Sequence, residues 1–374
     1  MHKEKMNRQP IRIAHIIGKM WAGGVEAVVF NYYRAIDHSK YQFDFYYDAD
    51  STVDPPQDLI DMGARFYKLP PYQKLPQYVR VLRKYLRKGK YKIVHSHLNT
   101  ISVFPLYCAW CEKIPVRIAH NHSVPGGNET GRNALKNTLK LFSRVFANEY
   151  CACSEKAGRW LFGDELFESG IITVVKNAID FTKFQIDEET INKKRKELGL
   201  LEDMFVVAHV GRFTAAKNHE KVISIFRAVR KKKANAVLLL VGDGEEHDNI
   251  EKWIDYYGVR DSVIMTGKVS DPQDYYPLFD VLILPSVFEG VPVTVVESQI
   301  AGVPCVISDV VNPDVVISNT CHYLSIKASD EIWAKKIIAV SKEHTELNER
   351  AKKYNIRFAV KELELKYEKL LKRN

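Results

Sequence analysis

The chain has 374 residues, of which 46% are hydrophobic and 27% charged. That is enough to bury the cores of two domains, and the composition excludes wholesale disorder. The apolar runs fall short of the roughly 18 to 20 residues that cross a bilayer, and a formal charge of +9 favours an acidic partner: nucleic acid, anionic lipid or a phosphorylated substrate.

Residues 1–10 are charged, and Gly18, Lys19 and Gly23 interrupt any leader-like apolar core, so the chain reads as cytoplasmic. IRIAHII from Ile11 predicts a strand, residues 25–36 a helix, and FDFYY from Phe43 a strand. Between the first two, GKMWAGGVEAVVF sets Gly18, Gly23 and Gly24 where the backbone can approach a ligand or simply turn; the spacing is not a dinucleotide fingerprint. A helix near 56–62 and a strand at 65–69 lead into the basic stretch 68–92, where Val79, Leu82 and Leu86 recur at helical spacing among Arg and Lys. This is either a solvated helix covering a sheet or a helix that touches an anionic membrane. KIVHSH at 92–97 predicts a strand, 100–111 a helix, VRIAHNH from Val116 a strand, RNALKNTLKLFSRVF from Arg132 a second basic amphipathic helix, and 149–153 a strand. Strand–helix alternation of this kind predicts a parallel sheet with helices on both faces.

His95 and His97 end one of these strands and His120 and His122 the next, so each pair shares a face. Convergence on a metal and a polar crevice lining are both open; with no Asp or Cys beside them, His120 reads as a crevice residue and no metal is assigned. Cys108, Cys111, Cys151 and Cys153 lie in apolar helix and strand patterns and read as buried reduced thiols.

Past TVVKNAIDFTKF the chain is polar from Asp187 to Lys196, and a second alternating series begins, with FVVAHVGRF, VLLLVGDG, SVIMTG, VLILP and VPCVI as strands. A hinge near 177–184 divides the chain into residues 1–180 and 181–354. The stretch from Glu343 has a charged helix-pair pattern, and a helix at about 355–374 is expected to return to the first domain.

The stretch 281–309 holds a strand, a loop, a helix with Pro292 in its first turn, and a second strand. A helix N-terminus at the carboxyl end of a parallel strand suits an anion such as phosphate, yet Glu289 lies in the loop and Glu297 in the second helical turn. A ligand with both phosphates and hydroxyls resolves the conflict, since amides take the phosphates and carboxylates accept from sugar hydroxyls; nucleotide sugars are such ligands. Arg212 and Lys217, in VGRFTAAKN after the first strand of this half, form a candidate diphosphate clamp. Gly242, in VGDGEE, forms a turn at the next strand end.

VGRFTAAKN, VGDGEE and above all FEGVPVTVVESQIAGVPCVISD resemble glycosyltransferase family 4, the retaining enzymes of the GT-B fold; GKMWAGGVE and KNAIDFTKF resemble its first loop and hinge. The resemblance covers most of the chain and points to the bacterial polysaccharide-biosynthesis members. It implies an α/β fold of two Rossmann-like, doubly wound domains facing a central cleft. It further implies transfer of a hexose or N-acetylhexosamine from a nucleotide diphosphate sugar, UDP-linked, to a glycan or lipid-linked acceptor, without metal or cofactor. Glu289 would accept from hydroxyls of the transferred sugar and Glu297 from the ribose, and Arg212 and Lys217 would neutralise the diphosphate. Thr294, Val295 and Val296 would supply amides to the phosphate cradle, Gly23 and Gly24 would line the acceptor side or approach the phosphate, and His120 would lie near the reacting sugar. Asn177 would belong to the hinge, and residues 123–132 would contact the acceptor. Thr294–Val296, Gln299 and the hinge NAID depart from the commoner family residues, which leaves the sugar preference open.

Two further functions are alternatives, the second of them against the presence of Arg212, Lys217, Glu289 and Glu297 together. A nucleotide-sugar epimerase would act without an acceptor, and a non-catalytic sugar-nucleotide or membrane-binding module would have lost part of the clamp. Nucleic-acid binding is disfavoured, because aromatics are not interleaved with the basic runs.

Overall fold

The computed structural model describes residues 9–21, 23–124 and 130–373. Residues 125–129, half of the acceptor-loop expectation at 123–132, lie outside these residues. The chain forms two compact units: the first runs to Ile179 and resumes at Lys353, and the second is Asp180–Lys352.

The first unit is built on seven strands: β1 (Ile11–Gly18), β2 (Tyr41–Asp48), β3 (Arg65–Leu69), β4 (Ile93–Ser96), β5 (Val116–Asn121), β6 (Glu149–Ala152) and β7 (Thr173–Val174). They pair in parallel in the order β3-β2-β1-β4-β5-β6-β7. Central strands β1, β2, β4 and β5 are almost wholly buried, as helices on both faces of a parallel sheet require. The basic stretch folds as the helix Leu75–Gly89. It buries Tyr78, Leu82 and Leu86, and Arg83 and Arg87 are both bound by Glu112. The charged C-terminal stretch gives a 3₁₀ segment, Glu349–Tyr354, and one long helix, Ile356–Arg373, rather than a helix pair. That helix buries Ile356, Ala359, Val360, Leu363, Tyr367 and Leu370, an i, i+3/i+4 stripe. It belongs to the first unit, where Tyr367 reaches His95.

The second unit repeats the plan with six parallel strands: β8 (Phe205–Val210), β9 (Ala236–Val241), β10 (Val263–Met265), β11 (Val281–Leu284), β12 (Cys305–Ser308) and β13 (Cys321–Leu324), in the order β10-β9-β8-β11-β12-β13. Both sheets therefore have the doubly wound order, with its reversal between β1 and β4 in one unit and between β8 and β11 in the other. Ligand sites of such sheets lie at the carboxyl ends of the strands flanking the reversal. Two short edge strands, β7 and β13, extend the sheets beyond the strands expected from sequence. All six cysteine thiols are free, and Cys111 alone of them is not fully buried.

Candidate functional site

In the second unit the reversal falls between β8 and β11, and the loops leaving their carboxyl ends are locked together. Gly211 beyond β8 and Gly242 beyond β9 both have positive φ, and a Cβ on Gly242 would stand 2.0 Å from the Gly211 carbonyl oxygen. Only glycine allows that approach. Backbone bonds from Phe213 N to Asp243 O (3.0 Å) and from Glu246 N to Phe213 O (3.1 Å) complete the joint. The loop after β11 is tied to the same place. Val287 N donates to Ala216 O at 2.9 Å, and Asn218, with φ of 57°, donates its amide to Pro285 O at 3.1 Å.

On this platform Lys217 and Glu289 meet. Lys217 Nζ donates to Glu289 Oε1 at 2.7 Å, and Ser286 Oγ donates to the same oxygen at 2.7 Å. Both charged side chains are mostly buried, at 17% and 9% exposure. Ser286 is itself placed by Ser308 Oγ, which donates to its carbonyl at 2.7 Å. Glu289 Oε2 has no partner among the described residues. Arg212, in contrast, is 52% exposed and pairs with Glu245 at 3.0 Å.

Pro292 caps the next helix, Val293–Ile300, from outside its first turn. Glu297 lies in the second turn, half-buried, and its Oε2 accepts from Tyr276 Oη at 2.7 Å. Burial raises its carboxyl above the usual range, and the Tyr276 bond acts against that. Its other oxygen is likewise without a partner among the described residues. The two glutamates thus share a design: each has one carboxylate oxygen fixed by the protein and one left over.

At the helix start, the Thr294 hydroxyl has no partner among the described residues. Val295 and Val296 turn their side chains into the core, and Val295 N donates to Pro292 O at 3.2 Å. Gln299, read from sequence only as a departure from the family, is a buried strut. Its amide donates to the Val295 and Val315 carbonyls, and its oxygen accepts from Ile317 N and Ser318 Oγ, all at 2.8–2.9 Å.

Sequence reasoning did not single out four residues here: Tyr276, Ser286, His209 and Asn218. His209, fully buried at the end of β8, donates Nδ1–H to Ile283 O at 3.0 Å, and its Nε2 has no partner among the described residues. Burial, with His219 and Lys217 adding to it, pushes its imidazole well below the usual range, so it is neutral. The only sequence signal was a histidine within an apolar strand.

In the first unit, Gly23 N and Trp21 N both donate to Glu26 Oε1, at 2.9 and 2.8 Å, which fixes the turn that opens the helix Gly24–Ala35. A Cβ on Gly23 would crowd the Trp21 ring, whereas none of the described atoms would lie within 4 Å of a Cβ on Gly24. His120 is 2% exposed, and its Nδ1 lies 3.1 Å from His95 Nε2. His95, His97 and His122 are buried with it, and so is His15 of β1. Asn177 is buried at the end of the first unit.

Family models match both halves: "Glycosyltransferase Family 4" over residues 22–183 and "Glycosyl transferases group 1" over residues 190–358. EpsF of Bacillus subtilis (strain 168), named a glycosyltransferase, is 30% identical over 341 residues, 89% of this chain and 88% of its own. The chain belongs to glycosyltransferase family 4. Another relative of this glycosyltransferase is the UDP-Gal:alpha-D-GlcNAc-diphosphoundecaprenol alpha-1,3-galactosyltransferase of Escherichia coli, 25% identical over 87% of this chain and 86% of its own. Among solved structures, Anabaena HepE in complex with UDP-glucose superposes with a TM-score of 0.76 over 96% of this chain and 100% of its own, at 15% identity. The fold is therefore GT-B, with two parallel-sheet Rossmann-like domains.

Proposed function

We propose that this glycosyltransferase moves a hexose or N-acetylhexosamine, with retention, from a UDP-linked sugar to a glycan or lipid-linked acceptor in bacterial cell-surface polysaccharide biosynthesis. One observation carries the proposal. Glu289 lies in the loop after β11 and Glu297 in the helix that follows it, each with one carboxylate oxygen fixed by the protein and the other without a partner among the described residues. Such an oxygen accepts a charge-assisted hydrogen bond from a ligand hydroxyl without rearrangement of the site. Glu289 takes hydroxyls of the transferred sugar and Glu297 those of the ribose.

Lys217 and Arg212 neutralise the diphosphate. In the structure they pair with Glu289 and Glu245, so donor binding exchanges Arg212 from an exposed, weak pair and lets Lys217 share its charge between Glu289 and phosphate. The amides at the start of the helix Val293–Ile300, with the Thr294 hydroxyl, complete the anion cradle. Gly242 admits the close backbone approach that shapes it. In the transfer, the bond from the anomeric carbon to the diphosphate oxygen breaks. A bond to the acceptor oxygen forms on the same face, and the acceptor proton passes to the departing diphosphate. In the first unit, the open space over Gly24, beside Gly23, suits acceptor or phosphate contact, and neutral His120 contributes a hydrogen bond to the reacting sugar. The names of the relatives above, with UDP-Gal and a diphosphoundecaprenol acceptor in one of them, support the donor and acceptor class.

Membrane contact is part of the same proposal. Among the described residues no helix is long and apolar enough to cross a membrane. Leu135, Leu141, Phe142 and Val145 are 50–77% exposed on and after the helix Thr130–Lys140, with Lys136, Lys140 and Arg144 among them. Apolar side chains among lysines and arginines suit the surface of an anionic leaflet, where a lipid-linked acceptor resides.

The test is incubation with UDP-, GDP- and ADP-sugars, with and without a polyprenyl-diphosphate-linked sugar. Expected is an acceptor-dependent product that keeps the donor's anomeric configuration. A nucleotide sugar isomerised without acceptor would make the protein an epimerase, and an inverted product would overturn retention. Sedimentation with anionic but not neutral vesicles tests the membrane surface; equal recovery from both counts against it.

A further inference from the structure

Five histidines gather on one face of the first sheet: His15 in β1, His95 in β4, His120 in β5, and His97 and His122 just past the ends of β4 and β5. In the parallel register His15 stands opposite His95, and residues two apart on a strand share a face, which aligns His97 with His95 and His122 with His120. All five are buried, at 1–7% exposure, beside a cavity of about 10 Å³. The rings touch in a network: His15 Nδ1 to His97 Nε2 at 3.0 Å, His97 Nδ1 to His122 Nε2 at 2.9 Å, His95 Nε2 to His120 Nδ1 at 3.1 Å, and His95 Nδ1 to Tyr367 Oη at 2.8 Å. Three ring nitrogens, His15 Nε2, His120 Nε2 and His122 Nδ1, are buried without a partner among the described residues. A face that only had to seal the core would be more stable if apolar, since each unpartnered buried polar atom loses its hydration without gaining a hydrogen bond.

We propose that His15, His95 and His97 form a binding site for one borderline divalent transition-metal ion, with Zn²⁺ as the reference ion. Their ligand atoms all lie within 4.8 Å of one another. A tetrahedral ion with N bonds of about 2.0–2.1 Å needs ligand nitrogens about 3.3 Å apart. The His15–His97 pair therefore has only a few tenths of an ångström to open. Burial drives all three imidazoles far below their usual range, His15 to about 3, so they are neutral and present lone pairs at physiological pH.

The outer contacts of His95 and His97 fit the same set, while His15 Nε2 has no partner among the described residues. When Tyr367 accepts the Nδ1 proton of His95 and His122 that of His97, both rings are held in the tautomer that leaves Nε2 for the ion, as ligating histidines require. Neither three-histidine group includes a carboxylate, so it binds Mg²⁺, Ca²⁺ and Mn²⁺ poorly. Lys366, whose charge reaches His95, is neutralised by Glu149 at 3.0 Å. A second possible group, His97, His120 and His122, shares His97 with the first, so the two cannot fill together and the stoichiometry is one. The ion would tie the tips of β1 and β4 to the C-terminal helix through Tyr367. It stands at the reversal of the first sheet.

The test uses the whole chain, freed of metal with a chelator and titrated with Zn²⁺ and Co²⁺. Expected are one ion bound per chain, the ligand-field absorption of tetrahedral Co²⁺, and a melting temperature that rises and saturates at one equivalent. His15→Gln and His97→Gln should abolish tight binding, Tyr367→Phe should weaken it about 10- to 100-fold, and His322→Gln, on β13, should leave it unchanged. No saturable binding to the wild-type chain would overturn the proposal, whatever the variants do. So would tight binding that survives His15→Gln.

Discussion

Replacement of Glu289 by Ala removes the acceptor of two bonds at once, from Lys217 Nζ and Ser286 Oγ, both 2.7 Å. Lys217 is 17% exposed, so its ammonium is left with little water to replace the carboxylate. Loss of a hydrogen bond to a charged group costs about 1.5–3 kcal/mol. For a domain of this size each kcal/mol lowers Tm by roughly 2–4 °C, so Glu289→Ala should melt roughly 3–12 °C lower. The catalytic loss is separate: a sugar hydroxyl loses its charged acceptor in the transition state, which by analogy with a single oxyanion-hole donor costs about 10²–10³-fold in kcat/KM. Glu289→Gln separates the two effects, because its amide oxygen still accepts from Lys217. It should recover most of the Tm and little of the activity. Steady-state kinetics on purified variants, with thermal melts alongside, gives both numbers. An Ala variant within about threefold of wild-type kcat/KM, or a Gln variant with wild-type activity, would refute the assigned role.

Lys217→Met should raise KM for the donor more than it lowers kcat, and it should flatten the dependence of donor affinity on ionic strength, measured by calorimetry at two salt concentrations. Glu297 has a carboxyl raised by burial. Since its folded-state value lies above its unfolded one, the protonated form is favoured by folding, and stability falls as pH rises from the ordinary carboxylate value of 4.5 through the raised one. Donor affinity, which needs the carboxylate, should fall as pH drops through that same raised value. Tyr276→Phe removes the bond that opposes the shift, so the inflection should move to higher pH in a binding titration. Gln299→Leu removes four buried hydrogen bonds, leaves the Val315 carbonyl and the Ile317 N–H without their partner, and should destabilise by about 2–4 kcal/mol in urea melts. A change under 0.5 kcal/mol would contradict its role as a strut.

The central strands were legible because each is a short apolar run that ends in a turn, with a periodic helix behind it. The edges were not. β7 has two residues, and β13 reads CHYL and is partly exposed, so neither has the continuous apolar pattern of a buried strand. The helix from Ile356 was visible in its charge pattern, but Glu349–Tyr354 gave the same signal and folded as 3₁₀. At the site, sequence placed Lys217 and Glu289 in one ligand's neighbourhood and assigned them to different parts of it. That they pair with each other depends on how the loops of β8 and β11 interlock through Ala216, Asn218, Pro285 and Val287, and no local pattern encodes that. Tyr276 was hidden because it comes from a segment 21 residues before its partner. The histidine pairs of β4 and β5 were visible by their spacing of two. His15 joins them through strand order, which brings β1 beside β4.

Amide hydrogen exchange with a saturating UDP-sugar tests the donor site most directly. Protection should be concentrated at the strand tips of the second unit, in residues 211–217, 242–244 and 286–297, and should be lost there in the Glu297→Ala variant. Exchange unchanged by any nucleotide sugar, or protection confined to other segments, would contradict the placement of the donor between Glu289 and Glu297.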